Sequence, residues 1–301
     1  MSIISKLPPV KGVLQENVDL GRKSFLGVSG TAQILFTPTD IDDLVFFLRN
    51  LPKDFQVTVL GAMSNILIRS GGIRGIVVVL EEAFNKIFIE DNVIEVGAAV
   101  FCSKLSTAAA NHELGGLEFL TGIPGMIGGA IKMNAGCYGA NISDIFIECE
   151  GVNLSGQVKW FNPENIEFGY RSSSVSDDII ITRAWFRGMQ NVDYIISKKM
   201  NEISSKRKNS QPLDKKSCGS AFKNPDGYKA WKLIEAAGCR GMKVGGASIS
   251  DKHCNFIINY DNATANDVEE LGNRVIQKVL ENSGIRLEWE IVILGDKAAH
   301  E

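Results

Sequence analysis

The sequence predicts a mixed α+β protein with a larger N-terminal part and a smaller C-terminal part. Short segments of alternating apolar residues, near 146–161 and 179–187, are typical of strands buried on one face. Longer segments with apolar residues at helical spacing, such as 264–282, alternate with them along the chain. The composition changes after residue 206, where Pro212 and a pair of lysines form a polar loop. Because 301 residues exceed the usual size of a single core, we take this loop as the region of a domain boundary.

The N-terminal part begins with a helix and a series of short strands. Thr39 is the predicted N-cap of a helix that ends at Pro52. The turn residues Ser70-Gly71-Gly72 predict a hairpin between the strands on either side of them. Alternation predicts strands at 56–60, 66–68, 76–80, 86–89 and 93–96, and helical spacing predicts a helix at 103–113.

The same two periodicities predict the remaining elements. Gly238 and Gly284 stand where C-cap glycines are expected. Further helices are predicted at 191–206, 228–237 and 264–282, and further strands at 255–259 and 288–294. One face of the last helix carries Val268, Leu271, Val275 and Val279.

Overall charge and composition exclude several classes of protein. The net charge is −3, so no overall field attracts DNA or an anionic membrane, and we expect neither as a partner. Residues 1–10 lack the apolar core of a signal peptide, and no segment approaches the roughly 20 apolar residues of a membrane helix. Six cysteines without a CxxC pair indicate reduced thiols and a cytoplasmic protein. Three histidines, none paired at ligand spacing, give no reason to expect a metal site.

A first glycine-rich loop, Gly61-Ala62-Met63-Ser64-Asn65, lies between two apolar strands. A turn of this kind brings several backbone N–H groups to one point, which a phosphate can occupy. A strand connection that needs only small residues would have the same sequence features. On this loop alone the two interpretations are equally good.

A second loop is richer in glycine and reads Thr121-Gly122-Ile123-Pro124-Gly125-Met126-Ile127-Gly128-Gly129-Ala130. Each glycine costs about 0.5–1 kcal/mol relative to alanine, so a dense cluster needs a reason. One reason is close approach of the backbone to a diphosphate, with positive φ at several positions. The other is tight packing of chain against chain. Two such loops favour a dinucleotide ligand, but neither has the GxGxxG pattern of a nicotinamide-binding Rossmann domain.

Further motifs follow in order along the chain. After Gly-x-x-Ser-Asn (61–65) and Gly-Leu-Glu-Phe-Leu-Thr-Gly-Ile-Pro-Gly (116–125) come Met-Asn-Ala-Gly-Cys-Tyr-Gly (133–139), Tyr-Arg-Ser-Ser (170–173), Cys-Gly-Ser-Ala-Phe-Lys-Asn-Pro (218–225), Gly-Gly-Ala (245–247), Asp-Lys-His-Cys-Asn-Phe (251–256) and Glu-Trp-Glu-Ile (288–291). With these motifs, residues 20–295 resemble the UDP-N-acetylenolpyruvoylglucosamine reductases. The short interval between Arg171 and Ser220 resembles the family's short form, which lacks an inserted tyrosine-bearing loop.

The resemblance implies a fold and two cofactors. The fold is a vanillyl-alcohol-oxidase-like (PCMH-type) FAD-binding domain at 1–193, made of two α+β subdomains split near 80–90, followed by a smaller α+β substrate-binding domain at 194–301. The cofactors are FAD and NADPH, and the chain is expected to act as a monomer. Flavin contacts are implied for Gly61, Ala62, Met63, Ser64, Asn65, Thr121, Gly122, Ile123, Pro124, Gly125, Gly128, Gly129 and Arg207. The family usually has glycine at the position of Met63, where this chain departs from the pattern.

The implied reaction is the NADPH-dependent reduction of UDP-N-acetylglucosamine enolpyruvate to UDP-N-acetylmuramate, a step in peptidoglycan precursor synthesis. Arg171 suits the negative charge that develops beside the substrate carboxylate, because a guanidinium stays charged near neutral pH. Ser220 would donate a proton to the resulting carbanion. Glu290, in an apolar strand, would share a proton with it, whereas Glu288 is expected to face solvent.

Additional substrate contacts are implied for Tyr170, Lys223, Asn224 and His253, although His253 could equally be a structural histidine. Two alternatives to the reductase stay open. Another oxidoreductase of the same fold, acting on an alcohol, would explain both glycine loops but would need a base and not a proton donor. A non-catalytic flavin- or nucleotide-binding protein is the second alternative, and Met63 is the feature that favours it.

Overall fold

The computed structural model describes residues 2–21, 23–28, 30–190 and 193–298. Helices and strands alternate along the chain, which confirms the predicted α+β class. The α-helices of the described residues are α1 (Ile41–Asn50), α2 (Cys102–Ala110), α3 (Ile127–Lys132), α4 (Asp193–Ser210), α5 (Ala230–Ala236) and α6 (Ala265–Ser283).

The strands are mostly short. In chain order they are β1 (Val13–Asp19), β2 (Thr31–Thr37), β3 (Val57–Leu60), β4 (Ile66–Ile68), β5 (Ile73–Val79), β6 (Ile87–Glu90), β7 (Val93–Gly97), β8 (Leu114–Gly115), β9 (Gly136–Cys137), β10 (Ala140–Asn141), β11 (Phe146–Asn153), β12 (Val158–Phe161), β13 (Phe168–Gly169), β14 (Ser172–Ser173), β15 (Ile179–Arg187), β16 (Met189–Gln190), β17 (Lys216–Ser220), β18 (Lys243–Val244), β19 (Ala247–Ile249), β20 (Phe256–Asn259) and β21 (Val292–Leu294). The larger sheets have the orders β1-β2-β5-β3, β12-β11-β15-β7-β6 and β17-β20-β19-β18.

The chain divides into two compact units, each built from three segments. Unit 1 comprises Met1–Glu16, Ile34–Gly61 and Ile76–Arg207. Unit 2 comprises Asn17–Gln33, Ala62–Gly75 and Lys208–Glu301. The sequence predicts that residues 1–193 bind FAD and that residues 194–301 bind the substrate. This assignment stays a prediction. None of the helices in the described residues is long and apolar enough to cross a membrane.

The five-stranded antiparallel sheet is the centre of unit 1. Its middle strand β15 pairs with β11 on one side and with β7 on the other, and β11 pairs with β12. Side chains from these strands are fully buried, among them Val152, Ile180 and Phe186. The short helix α3 packs on this sheet through Ile127 and Ile131, which are also fully buried. The two ends of α3 are therefore fixed relative to the sheet.

Unit 2 is organised around α6, which packs on β18, β19 and β20. The helix begins with a capping box, in which the Thr264 side chain accepts from the Asp267 N–H at 3.1 Å. It ends at Gly284 with φ of +73°, as the sequence predicts. The predicted apolar face is confirmed, because all four of its members are fully buried: Val268, Leu271, Val275 and Val279.

Several local predictions are wrong for identifiable reasons. Asp40 caps α1, since its carboxylate accepts from the Asp43 N–H at 2.8 Å, and Thr39 precedes the cap. The turn at 70–72 exists, but β4 and β5 do not form a hairpin. Instead, β4 pairs in parallel with the distant strand β21, and β5 pairs in parallel with β3. Apolar alternation marks a strand but not its partner.

Candidate active site

The first glycine-rich loop connects β3 to β4 and contains a left-handed residue. Met63 has φ of +51° and is 5% exposed. This backbone conformation costs about 1–2 kcal/mol for a residue with a side chain, which explains why glycine suits the position. The burial of the Met63 side chain offsets that cost, since burying a methionine is worth about 1.5–3 kcal/mol. Met63 is therefore a packing residue in a conformation that favours glycine.

The second loop begins at the end of a 3₁₀-helix (Glu118–Gly122) and ends in α3. Its backbone is held by hydrogen bonds within unit 1. The Cys102 N–H donates to the Gly125 carbonyl oxygen at 2.9 Å, and the Gly128 N–H donates to the Ala98 carbonyl oxygen at 3.0 Å. The Thr121 hydroxyl lies 2.9 Å from the Ser106 hydroxyl. No residue of 121–130 has a positive φ, so the prediction of left-handed glycines in this loop is wrong.

Two of the loop's glycines are required by packing. A β-carbon built on Gly122 would lie 2.7 Å from Cys137 Sγ and 3.3 Å from Ile203 Cγ2. A β-carbon on Gly128 would lie 3.2 Å from the β-carbon of Ala98. At these positions the structural explanation, tight packing of chain against chain, is sufficient.

Two other glycines face open space. A β-carbon on Gly129 would meet nothing within 4 Å, and one on Gly61 would meet only Met126, at 3.8 and 3.9 Å. Met126 is the N-cap of α3, so Gly61 of the first loop lies beside the second loop. Unit 1 thus places Gly61 beside the second loop, and it leaves open space at Gly61 and at Gly129.

Arg207 and Arg171 both act on the thiol that packs against Gly122. Burial raises the pKa of Cys137 to about 11, against the opposing effect of the two guanidinium groups. Burial also lowers the pKa of Arg207, while the side chains of Cys137 and Tyr138 oppose that shift. The two predicted cationic residues of unit 1 therefore share one neighbourhood, next to the second glycine loop.

Arg171 occupies the tip of a hairpin formed by β13 and β14. Its φ is +56°, a strained conformation of the kind that persists where the surrounding structure holds it. The guanidinium carbon lies 5.3 Å from the ring centre of Tyr170, which is 55% exposed. The hairpin therefore presents an arginine and an accessible aromatic ring together.

Ser220 ends β17, opposite Phe256 of β20. The register shifts between Ser217 and Ser220, and Gly219 in that interval has φ of +74°. A β-carbon on Gly219 would meet nothing within 4 Å, so its backbone conformation, and not packing, calls for glycine. A bulge with a left-handed glycine redirects the side chain that follows, here Ser220.

Glu290 lies beside the residue that follows Ser220. Its N–H donates to the Ala221 carbonyl oxygen at 2.8 Å, so unit 2 brings two of the three predicted catalytic residues together. The predicted strand 288–294 is shorter than expected and begins only at Val292, because the preceding residues bend around Ala221. Glu288 has a side chain that is 76% exposed, which confirms that it faces solvent.

The predicted substrate residues of unit 2 also have partners in the protein. The carboxylate of Glu288 lies 3.7 Å from Lys223 Nζ. The side-chain oxygen of Asn224 accepts from the Ala230 N–H at 3.0 Å, at the start of α5. Burial lowers the pKa of His253, and its Nδ1 accepts from the Asn255 N–H at 3.3 Å.

Asn255 is a site residue that the sequence did not single out. It is 4% exposed, and its side chain accepts from the Phe222 N–H at 3.0 Å and donates to the Phe222 carbonyl oxygen at 2.8 Å. These two bonds fix the chain just after Ser220. An asparagine at the start of an apolar strand was the available signal, because a buried amide needs partners.

Comparisons with known proteins bear on all of these residues. A family model described as an FAD binding domain matches residues 32–162, and one described as the C-terminal domain of UDP-N-acetylenolpyruvoylglucosamine reductase matches residues 211–294. The UDP-N-acetylenolpyruvoylglucosamine reductase of Beijerinckia indica subsp. indica is 46% identical over 289 residues, covering 96% of this chain and 93% of that protein. That of Orientia tsutsugamushi is 42% identical, covering 99% and 100%. The crystal structure of the Thermus caldophilus reductase has a TM-score of 0.83 at 34% identity, covering 94% and 100%.

The chain belongs to the UDP-N-acetylenolpyruvoylglucosamine reductase family. This membership confirms the predicted vanillyl-alcohol-oxidase-like FAD-binding fold and the predicted enzyme class. The chain is an FAD-dependent oxidoreductase of peptidoglycan synthesis, in a family whose cofactors are FAD and NADPH. Membership of the reductase family therefore rules against the two alternatives, an alcohol-oxidising enzyme and a non-catalytic binding protein.

The open glycines suit the cofactor of this reductase family. A flavin dinucleotide needs backbone that it can approach closely, and Gly61 and Gly129 have no protein atom occupying that space beyond Met126. Arg207 supplies a half-buried positive charge on the same unit. Contacts of FAD with individual residues stay predictions.

Proposed function

We propose that this chain reduces UDP-N-acetylenolpyruvoylglucosamine to UDP-N-acetylmuramate, with NADPH as the source of electrons and with Arg171, Ser220 and Glu290 as catalytic residues. The observation that carries the assignment of Ser220 is the bulge at Gly219 together with the hydrogen bond from the Glu290 N–H to Ala221. A hydroxyl and a carboxylate on adjacent pieces of backbone are groups suited to proton transfer.

FAD, when bound, supplies the hydride that reduces the double bond of the substrate. Negative charge then develops on the carbon next to the substrate carboxylate. Arg171 stabilises that charge, since a guanidinium offers a planar set of N–H donors that matches a carboxylate, and the hairpin places the residue at its tip. Tyr170, exposed beside it, contributes a contact with the substrate.

Ser220 donates the proton that completes the reaction. A serine hydroxyl is a weak acid, but a carbanion is a strong enough base to take its proton. Glu290 is half-buried next to Ala221 and shares a proton with the developing charge. Lys223 and His253 flank the same stretch of backbone as contacts for the substrate.

The two family models support the proposal that the N-terminal part binds the cofactor and the C-terminal part binds the substrate. The FAD-binding model lies within residues 1–193, to which we assign the cofactor, and the C-terminal model lies within 194–301, to which we assign the sugar nucleotide.

Replacing Ser220 by alanine separates the two half-reactions. Ser220→Ala should bind FAD and be reduced by NADPH at the wild-type rate, because that step needs no acid from the protein. Reoxidation by UDP-N-acetylenolpyruvoylglucosamine should slow by about 10²–10⁴-fold, the usual contribution of a general acid. Rapid-mixing absorbance of the flavin measures both rates.

Ser217→Ala is the matched control, since Ser217 lies on the same strand before the bulge. It should leave both rates unchanged. Reoxidation of Ser220→Ala at the wild-type rate would exclude Ser220 as the donor and would make Glu290 the next candidate. Loss of reduction by NADPH in Ser220→Ala would place the residue at the flavin or nicotinamide site instead.

A further inference from the structure

The hairpin that carries Arg171 is held by the C-terminal end of α3. The Asn134 side chain donates through Nδ2 to the Gly169 carbonyl oxygen at 3.0 Å, just before the tip. The Ser173 hydroxyl donates to the Lys132 carbonyl oxygen at 3.0 Å, just after it. Two side chain–backbone hydrogen bonds, one on each side of Arg171, therefore attach the hairpin to the C-terminal end of α3.

Lys132 extends the same attachment beyond the hairpin. Its ammonium group donates to the Val175 carbonyl oxygen at 3.3 Å and also to that of Ser176. Burial lowers the pKa of Lys132, while Asp177 and Asp178 oppose that shift. The half-buried ammonium group of Lys132 therefore links the end of α3 to the backbone at 175–176.

Asn134 has the features of a residue selected for this contact. It is 7% exposed and has φ of +40°, a conformation that asparagine tolerates better than most residues. Its Oδ1 accepts from the Ser143 N–H at 3.1 Å, so both ends of the amide have partners. Removing the side chain would leave the Gly169 carbonyl oxygen without this donor.

α3 connects this attachment to the glycine loop. Gly128 and Gly129 lie in its first turn, and Lys132 is its last residue. Gly129 and Lys132 are three residues apart in this helix, a rise of about 4.5 Å, so the helix sets a fixed separation between the open space at Gly129 and the hairpin of Arg171. The second glycine loop and the arginine are thus placed by one rigid element of unit 1.

We infer that Asn134 is a positioning residue for Arg171, and that it acts by holding the 168–173 hairpin on α3 at the distance from the flavin loop that the reaction needs. This inference rests on the proposed catalytic role of Arg171. Asn134 itself needs no contact with the substrate or the flavin. Its effect on catalysis should therefore depend on Arg171 being present.

A double-mutant cycle tests this dependence. Asn134→Gly removes the amide and keeps the left-handed backbone without strain. Reoxidation of the reduced flavin by UDP-N-acetylenolpyruvoylglucosamine should slow by about 10- to 100-fold, because misplacement of a catalytic group by about 1 Å has effects of this size. In an Arg171→Ala background the same change should add less than about 2-fold, since residues that act through one another are not additive. FAD affinity and the rate of reduction by NADPH should stay at wild-type values throughout.

Asn262→Gly is the matched control, because Asn262 is also left-handed, with φ of +49°, but lies in unit 2 and is exposed. It should change none of these rates. Should Asn134→Gly fold poorly, Ser173→Ala removes the other bond to α3 and should show the same dependence on Arg171 with a smaller effect.

Equal slowing by Asn134→Gly with and without Arg171, no slowing at all, or loss of FAD would each overturn the inference while leaving the proposed function intact. If Arg171→Ala alone reoxidises at the wild-type rate, the proposed role of Arg171 fails, and the inference fails with it.

Discussion

The four loop glycines of unit 1, Gly61, Gly122, Gly128 and Gly129, fall into two kinds that the sequence does not distinguish. Gly122 and Gly128 are in contact with protein, since a β-carbon on either would lie within 3.2 Å of a side-chain atom. Gly61 and Gly129 are not, since a β-carbon there would meet nothing closer than 3.8 Å. None of the four has a positive φ, so backbone strain does not account for the difference.

This difference assigns different functions to neighbouring glycines. Gly122 lets the chain pack against Cys137, whose thiol donates to the Phe119 carbonyl oxygen at 3.1 Å. Gly129 leaves space that the protein does not fill. A dense glycine cluster therefore combines a packing requirement with a binding requirement, and substitution by alanine should separate the two.

The largest effect expected from this comparison is on FAD binding by Gly129→Ala. The added methyl group would project into the space that we assign to the cofactor, and FAD affinity should fall by about 10- to 200-fold, as for one methyl group too many in a fitted pocket. The protein without flavin should be more stable by about 0.5–1 kcal/mol, because alanine replaces glycine inside a helix. Flavin fluorescence titration and urea unfolding measure the two quantities. Wild-type FAD affinity in Gly129→Ala would show that the open space is not the cofactor site.

Gly122→Ala should mainly lower the free energy of unfolding, in contrast to Gly129→Ala, whose main effect is on FAD affinity. Its β-carbon would lie 2.7 Å from Cys137 Sγ, and overpacking of this kind costs about 1–3 kcal/mol of unfolding free energy. Adding Cys137→Ala removes the clashing sulfur and should recover most of that loss, since the two sites are in contact. Urea unfolding of the single and double variants makes the comparison. An unchanged stability in Gly122→Ala would mean that the glycine is not there for packing.

Much of the fold could be predicted from local sequence, because its signals are local. In α6, for example, the capping box, the apolar face and the C-cap Gly284 all lie within one helix and its ends. The pairing of β4 with β21 could not be predicted in this way. The two strands are far apart in sequence, and the turn at 70–72 suggested a nearer partner.

The candidate site was predicted through motif residues, and the structure adds the groups that hold them. Arg171 and Ser220 are part of recognisable motifs. The side chains that hold the backbone beside them come from residues distant in sequence. Asn134 bonds to Gly169, and Asn255 bonds to Phe222. Buried amides of this kind depend on tertiary contacts, and no spacing in the sequence identifies their partners.

The flavin spectrum of the purified wild-type protein tests whether the chain carries out the proposed reduction. We expect a bound FAD whose visible absorbance is lost on adding NADPH without oxygen and returns on adding UDP-N-acetylenolpyruvoylglucosamine, with UDP-N-acetylmuramate as the product. An absorbance that stays bleached after the enolpyruvyl substrate is added, or a protein that cannot be loaded with FAD, would contradict it.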